Sequence, residues 1–261
     1  MSLLVNGVSK RFYDKARGEF YGCKEISFAV NPGEVYGLLG PNGAGKTTTL
    51  RVVSTIYSPT AGGASINGVD IVRSPQAARK MLGFLSSTSG LYERLTAREI
   101  LTYFGRLCDM PEDVLNKRIE SLIDALEFRS YADTRVAKLS QGTRQKVSIA
   151  RSIIHDPLLM ILDEPSTGLD VLAAYAMHEF VRQERADGKC ILLSTHTMSE
   201  AEKLCDRIGI ISEGRLLASG TIDELKELTG KANLEDVFVH LVRNAAQAAR
   251  QREQSRLVRV S

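Results

Sequence analysis

The run Gly40-Pro41-Asn42-Gly43-Ala44-Gly45-Lys46-Thr47 has the spacing GxxxxGK[ST] of a loop that cradles a polyphosphate. Its glycines let successive backbone N–H groups turn toward one point, and a helix beginning at the loop adds partial positive charge. Lys46 is placed to neutralise β- and γ-phosphates and the Thr47 hydroxyl to bind Mg²⁺, with Thr48 closing the predicted contact set. A second run, Leu159-Met160-Ile161-Leu162-Asp163-Glu164, is an apolar strand that ends in two acids. Asp163 would hold the metal through water, while Glu164 points elsewhere and can polarise an attacking water as general base. Either run alone is weak, since glycine-rich turns join elements and many strands end in acids. Paired, they point to hydrolysis at a bound polyphosphate.

These residues need a scaffold that brings them to one edge. Val35–Leu39 reads as a buried strand introduced by the turn Asn31-Pro32-Gly33, and a helix should run from about Gly45 until Pro59 to Gly63 closes it. Residues 64–69 look like another strand. Between about residues 96 and 155 the pattern becomes helical: Ile100, Leu101, Phe104 and Leu107 recur at helix spacing, as do Ile119, Leu122, Ile123 and Leu126. Strand character returns at 158–162 and 190–194 with a helical stretch, 172–184, between them. That alternation implies a parallel sheet with crossover helices. Residues 208–212 and 215–218, joined by Glu213-Gly214, read as a hairpin. The expected fold class is α/β with an inserted α-helical lobe. Residues 1–222 form the predicted ATPase domain and 223–261 a C-terminal helical tail.

Composition narrows the function classes. Of 261 residues, 43% are hydrophobic and 25% charged, ordinary for a water-soluble globular chain. A formal net charge of +3, spread along most of the chain, gives no footprint for nucleic acid. No apolar run approaches the roughly 20 residues that span a bilayer. The first residues, Met1 to Asn6, lack a charged segment followed by a long apolar one, which argues against a secretory signal. Cys23, Cys108, Cys190 and Cys205 lie far apart, so a reducing compartment is the expectation.

Further residues carry a resemblance to a known family. Leu139-Ser140-Gln141-Gly142-Thr143 resembles the LSGGQ signature of ABC ATPases, and Asp163-Glu164-Pro165-Ser166-Thr167-Gly168-Leu169-Asp170 resembles their Walker B and D-loop run. His196, after Ile191-Leu192-Leu193-Ser194, matches the family's switch histidine. Phe12 stands where an adenine-stacking aromatic is expected, with Tyr13 the alternative. The likeness runs from about Leu3 to Gly220. Two departures stand out. Ser87 occupies the place of the family's glutamine, so the metal contact there would pass through water, and the signature carries Gln141 and Thr143.

The resemblance implies a P-loop NTPase (RecA-like) core with an antiparallel β subdomain and an inserted α-helical signature lobe, working as a Mg²⁺-dependent ATPase with ATP as its nucleotide. It also implies a second copy of the chain in a head-to-tail ATP sandwich, each site joining Lys46 of one copy to Ser140 and Gly142 of the other. The energy would drive a separate transmembrane permease, with the cassette peripheral on the cytoplasmic side of the plasma (inner) membrane and touching it mainly through that permease. Residues 87–95, with Leu91 and Tyr92, would receive a cytoplasmic helix of the permease. The stretches Gly90 to Glu99 and Arg144 to Arg151 look most like bacterial sodium-extruding ABC ATPases. Exporters of drugs or other solutes, and soluble ABC ATPases without a transport role, are the alternatives. The Arg-rich tail (Arg243, Arg250, Arg252, Arg256 and Arg259 against Glu253) would suit anionic headgroups, solvent or a subunit contact.

Overall fold

The computed structural model describes residues 2–16, 18–86 and 90–258, with backbone alone for 249, 250 and 252–258. Two long strands open it, β1 (Leu3–Asp14) and β2 (Gly18–Val30), paired antiparallel. Next come β3 (Val35–Leu39) and α1 (Lys46–Val53), then β4 (Ala61–Ile66), β5 (Val69–Asp70), α2 (Pro75–Lys80) and β6 (Leu82–Leu85). Three helices follow without an intervening strand: α3 (Ala97–Leu107), α4 (Glu112–Ala125) and α5 (Gln141–Ser152). The chain then alternates through β7 (Leu159–Asp163), α6 (Val171–Ala186), β8 (Cys190–Thr195) and α7 (Met198–Leu204). It ends with β9 (Arg207–Ser212), β10 (Arg215–Gly220), α8 (Ile222–Thr229) and α9 (Leu234–Val258).

The strands form two sheets. One is four-stranded and antiparallel, in the order β2-β1-β4-β5; the other has the order β10-β9-β3-β8-β7-β6. In the larger sheet β9, β3, β8, β7 and β6 are mutually parallel and only β10 runs against its neighbour. All five residues of β7 are buried, and alternate ones enter different cores. Met160 and Leu162 join the core beneath the helical lobe, while Leu159 and Ile161 join the core shared with α1 and the antiparallel sheet. A run buried on both faces therefore reads as continuously apolar although its side chains still alternate. The parallel register sets Leu38 beside Ser194 and Ser194 beside Asp163, so the loops after β3, β7 and β8 all leave from one edge. In open α/β sheets that edge is where ligands bind.

The α/β class, the antiparallel sheet, the helical lobe and the Glu213-Gly214 hairpin match expectation, and two details differ. Helix α1 stops at Val53, well short of Pro59, because the backbone turns left-handed at Thr55 (φ 63°). The strand expected at 64–69 is a hairpin, since Asn67 and Gly68 both have positive φ and the chain reverses into β5. The lobe starts on a capping box at Thr96, whose hydroxyl accepts from the Glu99 N–H while the Glu99 carboxylate accepts from the Thr96 N–H. At the far end, Leu225, Leu234 and Val237 are buried against Ile208 and Ile210, so α8 and the first turns of α9 pack on the sheet.

Candidate active site

The loop between β3 and α1 wraps the open edge of the larger sheet. Gly43 (φ 79°) and Gly45 (φ 104°) hold the left-handed conformations that keep its N–H groups converging. A side chain at Gly45 would also run into the Gly22 carbonyl of β2. Lys46 is 5% exposed and donates to the carbonyls of Gly40 (2.7 Å) and Pro41 (3.3 Å). Its ammonium also lies 3.4 Å from Glu164 Oε1. Thr47 Oγ1 donates to Asp163 Oδ1 at 3.1 Å, and the buried Ser194 hydroxyl donates to the same oxygen at 2.7 Å.

Glu164 leaves the strand direction abruptly. Its φ of 51° is left-handed, a conformation that costs a non-glycine residue roughly 1 kcal/mol, and its N–H is held by the Ser194 carbonyl and hydroxyl at 3.1 Å each. The turn separates it from Asp163 and aims its carboxylate at Lys46, at Thr167 Oγ1 (3.1 Å) and at His196 Nδ1 (3.2 Å). Burial pushes the Glu164 carboxyl up, but the Lys46 ammonium, the Thr167 hydroxyl and the His196 ring together hold it below the usual carboxylate range. A carboxylate kept ionised beside an open cavity can accept a proton from water.

That cavity, of about 500 Å³, runs from Glu164 along Pro41–Thr48 to an aromatic wall. Phe12 lines it, backed by Tyr57 edge-on at 5.5 Å and with Phe20 at 5.8 Å. Tyr13, the alternative to Phe12, is 75% exposed and does not line the cavity. The wall also includes Phe20, Tyr21 and Gly22, which motif reading passed over; a Cβ at Gly22 would sit 2.6 Å from the Phe12 ring. Their signal lies in pairing, since Phe12 sits opposite Phe20 in the β1–β2 register. Ser194 was also overlooked, although it stands in the strand that leads to His196.

The structure thus brings Phe12, Gly40 to Thr48, Asp163, Glu164 and His196 to one edge. It leaves Ser140 and Gly142 elsewhere. Ser140 is the exposed N-cap of α5, its hydroxyl accepting from the Thr143 N–H at 3.2 Å, and Gly142 follows in the first turn. Ser87 lies outside the described residues. Among the described residues no helix is long and apolar enough to cross a membrane.

Residues 23–167 match the family profile described as ABC transporter. The chain is 39% identical over 238 residues to the ABC transporter ATP-binding protein NatA of Bacillus subtilis, covering 91% of this chain and 96% of that protein. The chain belongs to the ABC transporter family. It is an ATP-binding subunit of that family and an ATPase. The cassette is also 40% identical over 220 residues to the Nod factor export ATP-binding protein I of Burkholderia lata, covering 84% of this chain and 71% of the other. Among solved structures, the ATP binding subunit of an ABC transporter superposes with a TM-score of 0.83 at 32% identity, over 93% of this chain and all of that one. A dimeric post-hydrolysis cassette bound to ADP and Pi shares the fold at 23% identity and a TM-score of 0.75, over 84% of this chain and 98% of that one.

Proposed function

We propose that this ATPase is the engine of an exporter, working on a separate transmembrane permease from the cytoplasmic face, with sodium the favoured solute. The observation that carries the ATPase part is the meeting of Lys46, Thr47, Asp163, Glu164 and His196 at one sheet edge. Phe12 stacks the adenine, the loop from Gly40 to Thr48 holds the phosphates, and Lys46 exchanges its carbonyl partners for phosphate oxygens. Glu164 takes a proton from the attacking water. The new O–P bond forms at the γ-phosphorus while the bond to the bridging oxygen breaks, giving ADP and phosphate. His196 contacts the γ-phosphate and registers its loss.

The Thr47 hydroxyl and the Asp163 carboxylate fit Mg²⁺: they are hard oxygen donors on adjoining elements, 3.1 Å apart. Ser87 would add a contact through water. Among the described residues no cluster of three or more His, Cys, Asp or Glu could hold a metal alone, which suits a site completed by phosphate oxygens. Mg²⁺ bound there would offset charge on the phosphate oxygens.

A head-to-tail pair of copies is supported by the place of Ser140 and Gly142. They open α5 at the surface and do not line the cavity that contains Lys46. A helix N-terminus with a serine cap suits phosphate, so a second copy's nucleotide is its natural ligand. An apolar patch speaks for the permease. Tyr92 (55% exposed) and Tyr103 (49%) cluster with Phe104, Tyr92 lying 6.0 Å from the Tyr103 ring, and the exposed Leu107 follows one turn further along α3. Such a patch suits a short helix of a partner. The domain limits 1–222 and 223–261 belong to the same reading. Export is supported by the likeness to the Nod factor export proteins, and sodium by the resemblance of Gly90 to Glu99 and Arg144 to Arg151 to sodium-extruding ABC ATPases; other solutes are the alternative.

Affinity purification of the tagged chain from detergent-solubilised native membranes tests the transport reading. A stoichiometric multi-span permease is the expected companion, and that complex in vesicles should extrude sodium when ATP is supplied. Ribosomal or chromosomal proteins without a permease would overturn the reading.

A further inference from the structure

His178 lies behind the catalytic edge, in the middle of α6 and mostly buried, and neither the phosphate cradle nor the permease patch uses it. Its Nε2 is 3.3 Å from the Ser166 hydroxyl, in the turn that begins at Glu164. The same nitrogen is 3.6 Å from Oε1 of Glu200 in α7, the helix that starts two residues after His196. Glu200 is 7% exposed, and among the described residues its Oε1 has no partner at hydrogen-bond distance. A buried carboxylate oxygen left in that state is costly unless a donor can reach it, and the imidazole is the group within reach.

We infer that His178 is a positioning residue of the ATPase site, fastening the turn after Glu164 to the helix after His196 from behind. Glu164 and His196 face each other at 3.2 Å, and each is followed within four residues by a group that contacts His178. The front of the same turn is held independently, because Gln145 of α5 donates to the Pro165 carbonyl at 3.0 Å. His178 therefore fixes the one side of the turn that the signature helix does not.

The arrangement has two proton states with different partners. Burial pushes the His178 ring below the usual imidazole range, against the pull of the Glu200 carboxylate, and Arg182 and Lys203 push the same way as burial. Arg182 is one turn along α6 and Lys203 one turn along α7; Thr167 and His196 line the same cavity of about 350 Å³. The neutral ring can accept the Ser166 O–H at Nε2. The protonated ring carries hydrogens on both nitrogens, so Nε2 must donate, and of the two acceptors beside it the charged Glu200 carboxylate holds that hydrogen more strongly than the Ser166 hydroxyl. Acidification thus moves the contact from the turn to α7 and loosens Glu164.

This inference rests on the roles given above to Glu164 and His196, and steady-state ATP turnover of the full chain from about pH 5.5 to about pH 8.5 separates the two. His178→Ala should lower kcat about tenfold and leave KM for Mg-ATP within about twofold, because it misplaces Glu164 without touching the cradle. His178→Gln keeps a polar contact but cannot titrate. It should regain most of kcat near pH 8 and lose the acid-side fall in rate shown by the parent. Should the alanine variant fail to fold, the glutamine profile alone decides. Parental kcat in His178→Ala, KM rising in step with the loss of kcat, or an unchanged acid limb in His178→Gln would each overturn the inference. Glu164→Gln serves as the control. If it turns over like the parent, the site reading fails; if it is inactive while the His178 variants match the parent, only this inference falls.

Discussion

Ser194 shows how much a residue can do without belonging to a motif. It is fully buried at the end of β8, where its hydroxyl donates to Asp163 while its carbonyl and hydroxyl both accept the Glu164 N–H. Replacing it with alanine leaves a buried acid with one donor fewer and a strained turn less well tied. Ser194→Ala is expected to cost about 1–3 kcal/mol in chemical denaturation and to slow ATP turnover more than it weakens ATP binding. The contiguous residues are legible without a fold: the loop from Gly40 to Thr48 and the pair Asp163 and Glu164 announce themselves by spacing, and His196 by resemblance to the family. Ser194, Phe20 and Gly22 did not, because their roles come from neighbours set by strand register, as in the pairings of Ser194 with Asp163 and Phe20 with Phe12. His178 and Glu200 were silent for the same reason, being 22 positions apart in sequence and in contact only because α6 packs on α7.

At the scale of elements, the helical lobe must stay in register with the sheet that positions the cradle. Asp156, between α5 and β7, ties them together. It meets Arg118 of α4 at 3.3 Å and Lys189, just before β8, at 2.8 Å. Burial raises its carboxyl, but the Lys189 bond and the charges of Arg118, Lys189 and His155 more than reverse this and leave it below the usual range. A carboxyl lowered on folding stabilises the protein above its unfolded value, and that contribution disappears as pH falls through the folded one. Asp156→Asn should therefore lower the denaturation midpoint at pH 7, with the gap to the parent closing below about pH 4. Most elements could be read from periodicity because each buries one face or, like β7, both. The exceptions were set by local backbone: Thr55 ended α1 early and Asn67-Gly68 cut a strand into a hairpin. A helix pattern does not register a single left-handed residue.

For the whole molecule, the proposed head-to-tail pair completes each site with Ser140 and Gly142 of a second copy, which open α5 at the surface and lie outside the cavity that contains Lys46. A carboxylate at Gly142 would face the phosphates of the opposite copy. Gly142→Asp should keep ATP affinity in the isolated chain, abolish ATP-dependent dimers in size-exclusion chromatography and lower turnover at least about tenfold. In the sequence the proposed partnership rests on resemblance alone, as the signature run has no chemistry of its own until another chain supplies the nucleotide. The proposed role of Glu164 as the base of the ATP-hydrolysing site is read out by steady-state phosphate release from the parent and Glu164→Gln, with ATP binding measured alongside. Glu164→Gln should retain binding, with turnover reduced by about a hundredfold or more. Equal rates would contradict it.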